Sequence, residues 1–98
     1  SQLYKDKFAA VSEILSPYYT LTQTEGCFYH WQPTTICDQK FSQRLLAKHH
    51  ITVTPGSFLG RDTRLGNPGH NHVRIAWVAP FGECIEAANR LAQFAQNL

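Results

Sequence analysis

The sequence contains no methionine and only three cysteines, Cys27, Cys37 and Cys84. It has no CxxC pair, and an odd number of cysteines cannot close completely into disulfides, so this pattern favours free thiols in a reducing compartment. No apolar run approaches the roughly 20 residues that a membrane span needs. No basic segment followed by an apolar core marks a secretion signal. We therefore expect a cytoplasmic protein with no membrane partner.

Charged residues are also scarce, at 16% of the 98 residues, and the formal net charge is only +2. The nine basic residues are dispersed among seven acidic ones rather than gathered into a stripe, which argues against nucleic acid as a partner. With 43% hydrophobic residues, a chain of this length builds one hydrophobic core. We predict a single domain over residues 1–98. Because the chain begins at Ser1 and a helical pattern follows at once, we expect it to be a fragment of a longer protein.

Three segments carry the apolar spacing of amphipathic helices. The first runs from Leu3 to Leu15 and stops before Pro17. A second begins at Asp38 and ends at basic residues near position 50, as suits the helix dipole. The last has Pro80 in its first turn and continues to Ala95.

Four runs rich in β-branched and aromatic residues predict strands between these helices. They cover residues 18–22, 27–31, 51–54 and 73–78, and a long loop over 57–71 leaves room for a functional role. The predicted order is α-β-β-α-β-β-α. This order indicates an α+β fold, a small α/β sandwich whose three- to four-stranded sheet carries helices mainly on one face.

Arg74 lies inside the apolar run VRIAWV at residues 73–78. Burying a guanidinium without an anionic partner is costly, so this arginine should be paired or lie at the edge of a cleft, where its planar fork suits a carboxylate. Strand alternation offers a second interpretation, in which Arg74 points at solvent. The residues alone leave both interpretations open.

Three segments together resemble a known family. They are GCFYHW at 26–31, VTPGSFLG at 53–60 and VRIAWV at 73–78, and in this order they are similar to the C-terminal small domain of fold-type I, pyridoxal-phosphate-dependent aminotransferases. The stretch from Pro55 to Pro80 most resembles N-succinyldiaminopimelate aminotransferases. The resemblance covers nearly the whole chain, although Cys27 and His30 depart from the residues usual in the family.

The resemblance implies roles for particular residues. Arg74 matches the arginine that binds the substrate α-carboxylate, so we expect it to be the substrate-binding residue. Gly56 corresponds to a turn whose missing side chain lets the backbone approach closely. Arg61 and Arg64 follow in the loop, where Arg61 is a candidate for the distal carboxylates of a succinylated substrate. Their alternative role is solubility alone.

The resemblance also implies a cofactor and partners. Family members hold pyridoxal phosphate through a lysine, an aspartate and a phosphate-binding segment of a large domain, and these motifs are missing here. We therefore expect no catalytic and no cofactor-binding residue in this chain, which alone should be inactive. The parent enzyme would transfer an amino group between N-succinyl-LL-diaminopimelate and 2-oxoglutarate in lysine biosynthesis, as a homodimer.

A different class of function stays open. A stand-alone, non-catalytic α+β module could use Arg74 to bind an acidic small molecule or a protein partner. A severed domain should leave an apolar patch that a stand-alone module buries. The candidate residues for this patch are Tyr4, Tyr18, Tyr19, Phe58 and Trp77.

A metal site is a further candidate at His70 and His72. Their alternate spacing lets a strand present two ligands on one face. A third ligand is not evident, so we predict no metal site.

Overall fold

Three α-helices and three strands make up the fold in the computed structural model, which describes residues 2–21 and 29–98. The α+β class is confirmed, and the element order follows the predicted one approximately. In chain order, the elements are α1 (Gln2–Leu15), β1 (Tyr29–Pro33), α2 (Asp38–His49), β2 (Thr54–Pro55), a 3₁₀ helix (Gly56–Phe58), β3 (His72–Ala76) and α3 (Phe81–Gln96).

The described residues divide into two compact units, one formed by residues 1–30 with 76–98 and the other by residues 31–75. In the first unit, α1 packs against α3. Val11 and Leu15 of α1 are buried, as is one face of α3. That face consists of Cys84, Ala88, Leu91, Ala92 and Phe94. The spacing predicts Ile85, Ala88, Leu91, Ala92 and Ala95 as the inner face of α3; Ala88, Leu91 and Ala92 are buried as predicted, whereas Ile85 and Ala95 are half-buried.

The second unit contains most of the sheet, whose strand order is β1-β3-β2. β2 pairs antiparallel with β3, with Thr54 opposite Arg74 and Pro55 opposite Val73. The Thr34 N–H, just after β1, donates to the Asn71 carbonyl, just before β3, at 2.8 Å. The end of β1 therefore lies beside the start of β3, as in an antiparallel pair.

Helix α2 belongs to this second unit and lies beside β2. Phe41 and Leu45 are buried on its inner face, and α2 packs against both β2 and the 3₁₀ helix. Basic residues in the last turn of α2 interact favourably with the negative end of the helix dipole. The helix ends where His50 adopts a left-handed conformation, with φ of 57°, and its N–H donates to the Leu46 carbonyl. The predicted boundaries of α2 are therefore confirmed.

Two strand predictions need correction. Residues 18–21 form no strand, and Thr22 lies outside the described residues. The N–H groups of Tyr18 and Tyr19 instead donate to the Leu15 carbonyl, which continues the end of α1 as a turn. The strand predicted at 51–54 is reduced to Thr54–Pro55, because only these two residues pair with β3.

The two later strands are close to their predicted positions. β1 lies two residues later than the predicted strand 27–31, whose first two residues lie outside the described ones. β3 ends at Ala76, before the predicted end at Val78.

The predicted apolar patch is confirmed only in part. Phe58 is 67% exposed and Tyr18 is 43% exposed, whereas Tyr19 is half-buried. Trp77 is buried, at 7% exposure, so its assignment to the patch was wrong. The Tyr4 side chain lies outside the described side chains. No helix among residues 2–21 and 29–98 is long and apolar enough to cross a membrane.

Gly56 follows β2 at a point where two backbone segments meet. A Cβ at Gly56 would overlap the Gly69 carbonyl oxygen and would lie 2.7 Å from both the His72 carbonyl oxygen and Trp31 Cη2. The same holds in reverse, since a Cβ at Gly69 would overlap the Gly56 carbonyl. The close backbone approach expected at Gly56 is therefore confirmed, and it brings the turn after β2 against the start of β3.

This contact predicts that Gly56→Ala destabilises the chain by about 2 kcal/mol or more, because rigid backbone has to move to admit the methyl group. Gly82→Ala is the matched control, since a Cβ there meets nothing within 4 Å. Its helical position predicts a gain of about 0.5–1 kcal/mol. Urea unfolding of the chain, followed by the fluorescence of its two tryptophans, measures both. Equal stabilities of the two variants would contradict the crowding at Gly56.

Candidate functional site at Arg74

Arg74 lies on β3, between β1 and β2. Val73 and Ile75 are buried on one face of this strand, whereas His72 and Arg74 are partly exposed on the other. Arg74 is paired with Thr54 of β2 across the sheet. The sequence left two interpretations of Arg74 open, an arginine that is paired or lies at the edge of a cleft, and an arginine that points at solvent. The structure places Arg74 on the open face of the sheet with contacts of its own.

Two aromatic rings border this open face. The indole of Trp31 on β1 stacks on the imidazole of His72, with ring centroids 5.1 Å apart and an interplanar angle of 8°. His72 Nδ1 is also 2.9 Å from the His70 carbonyl oxygen, which restrains the imidazole from the other side. Because His72 and Arg74 share a face of β3, the stacked rings form a flat wall beside Arg74.

A cavity of about 310 Å³ opens at the same tryptophan. Its lining is almost entirely apolar or backbone: Trp31, Leu59, Gly60, Pro68 and Gly69. Arg74 is not among the residues that line this apolar recess.

Arg61 and Arg64 are both exposed in the loop after the 3₁₀ helix. The loop is ordered by a turn in which Thr63 and Gly66 exchange backbone hydrogen bonds of 3.1 and 3.0 Å. Asn67 anchors it, because its Nδ2 donates to the Ser57 carbonyl at 2.9 Å and to Asp62 Oδ1 at 3.1 Å. No measured contact links Arg61 or Arg64 to Arg74 among the described residues.

Asp38 is a buried residue of this unit whose importance the sequence did not reveal. It is the first residue of α2, and its side chain has no exposed surface. Oδ2 accepts hydrogen bonds from the Ser57 N–H at 3.0 Å and the Ser57 hydroxyl at 2.7 Å. Oδ1 accepts one from the Asn71 N–H at 3.2 Å. His70 Nδ1 lies 3.6 Å from the same Oδ1.

The pKa of Asp38 reflects two opposing effects. Burial alone raises the pKa of a carboxyl group, because it penalises the charged form. The hydrogen bonds from the Ser57 hydroxyl and from the N–H groups of Ser57, Asn71 and Asp38 itself outweigh burial, so the pKa of Asp38 lies below its ordinary value. Asp38 is therefore a carboxylate at neutral pH, with hydrogen-bond donors at both of its oxygens.

Sequence inspection identified Asp38 only as a favourable charge at a helix N-terminus. Its donors come from residues 19 and 33 positions later in the chain, and no local pattern indicates such distant partners. The available signal for a structural role of Asp38 was an Asp in the first turn of a helix, followed later in the chain by the PGS turn at 55–57. That signal is shared by many helices whose Asp is exposed.

Cysteine and histidine chemistry adds no second site in the described part of the chain. Burial raises the pKa of the Cys84 thiol, and Glu83 raises it further, against the opposing effects of Lys7 and of a hydrogen bond to Ala79. Cys84 is therefore a protonated packing residue rather than a nucleophile. Residues 2–21 and 29–98 contain no group of three or more His, Cys, Asp or Glu side chains arranged to hold a metal ion. Cys27 lies outside the described residues.

The lysines do not fit a site for pyridoxal phosphate. Such a site needs a lysine amine that faces a cavity and can reach the cofactor aldehyde. Lys7 is buried, but its Nζ donates to the Ala79 carbonyl. Lys5, Lys40 and Lys48 are exposed on the surfaces of helices.

Comparison with solved structures identifies the fold. An aminotransferase from Neisseria meningitidis Z2491 is 38% identical, with a TM-score of 0.90 over 96% of this chain and 24% of its own. The chain has the fold of part of an aminotransferase. Aspartate aminotransferase from Thermotoga maritima is 27% identical, with a TM-score of 0.79 over 97% of this chain and 24% of its own.

A third solved structure bears on the resemblance to a subfamily. The probable N-succinyldiaminopimelate aminotransferase of Thermus thermophilus is 29% identical, with a TM-score of 0.71 over 93% of this chain and 23% of its own. The chain therefore spans about a quarter of the length of these structures. No protein-family model and no curated protein matches the sequence.

The hydrogen bonds of Asp38 predict a pH-dependent contribution to stability. Because the pKa of Asp38 is lowered on folding, its contribution is present above the unfolded-state pKa and is lost as the pH falls through the folded-state pKa. At neutral pH, Asp38→Asn should lower the free energy of unfolding by about 1–3 kcal/mol. Urea unfolding between pH 7 and pH 3 should show this difference shrinking towards the acid end.

Glu13→Gln provides the control, because Glu13 is an exposed carboxylate on α1. This variant should stay within about 0.5 kcal/mol of the wild type across the same pH range. A difference between wild type and Asp38→Asn that does not change with pH would show that Asp38 does not contribute as a carboxylate.

Proposed function

We propose that the chain is the C-terminal small domain of a pyridoxal-phosphate-dependent aminotransferase, in which Arg74 binds the α-carboxylate of the substrate. The observation that carries this proposal is the position of Arg74 on the open face of the central strand, in a fold shared with aminotransferases. A guanidinium presents parallel N–H donors that match the two oxygens of a carboxylate. Amino acids and 2-oxo acids, the substrates of transamination, both carry that group.

Arg74 acts in this proposal by orienting the substrate. A carboxylate held at two oxygens cannot rotate freely, so the bonds at its Cα take a fixed direction relative to the reacting groups. The arginine itself is held by backbone pairing at Thr54 and by its place between two other strands. The stacked rings of Trp31 and His72 lie on the same face of the sheet.

The cofactor is assigned to another part of the protein. Pyridoxal phosphate supplies the electron sink that amino-group transfer requires, and the lysines of this chain do not fit its site. We assign its lysine, its aspartate partner and its phosphate site to a large domain of the same protein outside these 98 residues. The chain alone is then inactive, and the active form is a homodimer of the full-length protein.

We further propose that the substrates are N-succinyl-LL-diaminopimelate and 2-oxoglutarate. Two observations support this substrate pair. One fold relative carries the name of this activity, and Arg61 is exposed on the loop that follows the 3₁₀ helix. The succinyl group ends in a carboxylate distant from the reacting amine, and Arg61 is the proposed partner of that carboxylate.

Arg74→Ala in the full-length protein tests the central claim. Loss of a charged bidentate pair predicts that kcat/KM for transamination falls at least about 100-fold, with a raised KM. Arg44→Ala is the matched control, because Arg44 is exposed on α2. The open reading frame around Ser1 should also encode a domain with a cofactor lysine. A fall smaller than about threefold would remove Arg74 from the site.

Arg61→Ala tests the substrate class. It should raise KM for N-succinyl-LL-diaminopimelate about tenfold while leaving KM for glutamate within about twofold, because only the succinylated substrate reaches the loop. Arg64→Ala, from the same exposed loop, separates a specific contact from general loss of positive charge. Equal effects of the two variants on both substrates would assign the loop arginines to solubility.

A further inference from the structure

Asp38 is the point at which the ends of all three strands are connected. Ser57, in the 3₁₀ helix that follows β2, donates to it from both its N–H and its hydroxyl. Asn71, which immediately precedes β3, donates its N–H. The Asn71 carbonyl in turn accepts from Thr34, the residue after β1. One buried carboxylate therefore holds two segments directly and the end of a third through Asn71.

These connections lie close to Arg74 along the chain. Thr54 of β2 is paired with Arg74, and Ser57 follows Thr54 by three residues. Asn71 precedes Arg74 by three residues, so in the antiparallel register Ser57 and Asn71 lie at the same end of the β2–β3 ladder. β2 contributes only two paired residues, and so short a ladder fixes the register of its partner weakly. The hydrogen bonds to Asp38 supply the restraint that a longer strand would provide.

The backbone at Asn71 is held at both of its polar groups. Asn71 has a φ of 60°, in the left-handed region, which asparagine adopts more readily than most other non-glycine residues. Its N–H and its carbonyl are both engaged, by Asp38 and by Thr34. Release of either bond would let the start of β3 relax, and the direction of the Arg74 side chain would change with it.

We propose that Asp38 is a positioning residue for carboxylate binding, acting through Arg74. This inference rests on the proposed role of Arg74. Asp38 does not touch the substrate, because it is fully buried. It holds the start of β3 and the turn after β2, three residues from Arg74 and from its partner Thr54, so that the guanidinium presents its two donors in the geometry that a carboxylate requires.

The chemistry of the side chain explains why an amide does not replace it. Asp38 faces backbone N–H donors at both oxygens, and an ionised carboxylate accepts at both. An asparagine has one acceptor oxygen and one NH₂ group. In Asp38→Asn, either the Ser57 N–H or the Asn71 N–H would therefore face another donor, and one of the two segments would be released.

A double-mutant cycle in the full-length protein with its cofactor bound tests this inference. Four proteins are compared: wild type, Asp38→Asn, Arg74→Ala and the double variant. Glutamate, the amino product of 2-oxoglutarate, is the probe. Asp38→Asn should raise KM for glutamate at least about tenfold while kcat changes less than about threefold. Glu13→Gln, at an exposed carboxylate, should leave both unchanged.

The double variant decides whether Asp38 acts through Arg74. If it does, adding Asp38→Asn to Arg74→Ala should lower kcat/KM by less than about twofold, because the interaction that it positions is already gone. Additive losses would overturn the inference. A kcat that falls in proportion to the folded fraction, with KM unchanged, would also overturn it, since that is the signature of a purely structural role.

Ser57→Ala keeps the test open if Asp38→Asn fails to fold. It removes one of the three donors and keeps both backbone donors, so it should raise KM in the same direction by a smaller factor. An unchanged KM would count against the inference. If Arg74→Ala itself has no effect, the proposed function fails and this inference with it; if only the coupling is absent, the proposed function stands.

Discussion

A buried carboxylate at the start of a helix organises the unit that carries Arg74. Desolvation makes such a group costly unless it is hydrogen-bonded, and both oxygens of Asp38 accept hydrogen bonds, from Ser57 and from Asn71. The benefit is geometric. A sheet whose edge strand β2 pairs through only two residues gains a fixed register, and the central strand gains a fixed start.

The close contact of Gly56 and Gly69 complements this network. Each glycine approaches the backbone of the other so closely that neither position has room for a Cβ. Hydrogen bonds and steric exclusion thus act on the same two segments, the turn after β2 and the turn before β3. Together they hold the adjacent ends of β2 and β3 near the Arg74–Thr54 pair, which is what the proposed orienting role of Arg74 requires.

The sequence predicted those parts of the fold that depend on neighbours along the chain. The spacing of Val11 and Leu15, and of Phe41 and Leu45, predicted helices because burial of one face follows directly from periodicity. The strand expected at 18–22 fails over its described part, because Tyr18 and Tyr19 complete a helical turn onto Leu15. β-Branched and aromatic composition does not distinguish a strand from such a helical turn.

The candidate site could also be predicted only in part. Arg74 was recognisable as a cation in an apolar strand. The stacked rings of Trp31 and His72 and the donors to Asp38 come from distant positions in the chain, about which single-sequence patterns contain no information.

Prolines at the sheet edges have a consequence for self-association. In the described strand order, β1 and β2 are the outer strands, and each ends in a proline, Pro33 and Pro55. Proline has no N–H to donate, so neither edge offers an uninterrupted row of donors to a strand from another molecule. Edge-to-edge extension of the sheet, a common beginning of aggregation, is therefore less favourable at these prolines.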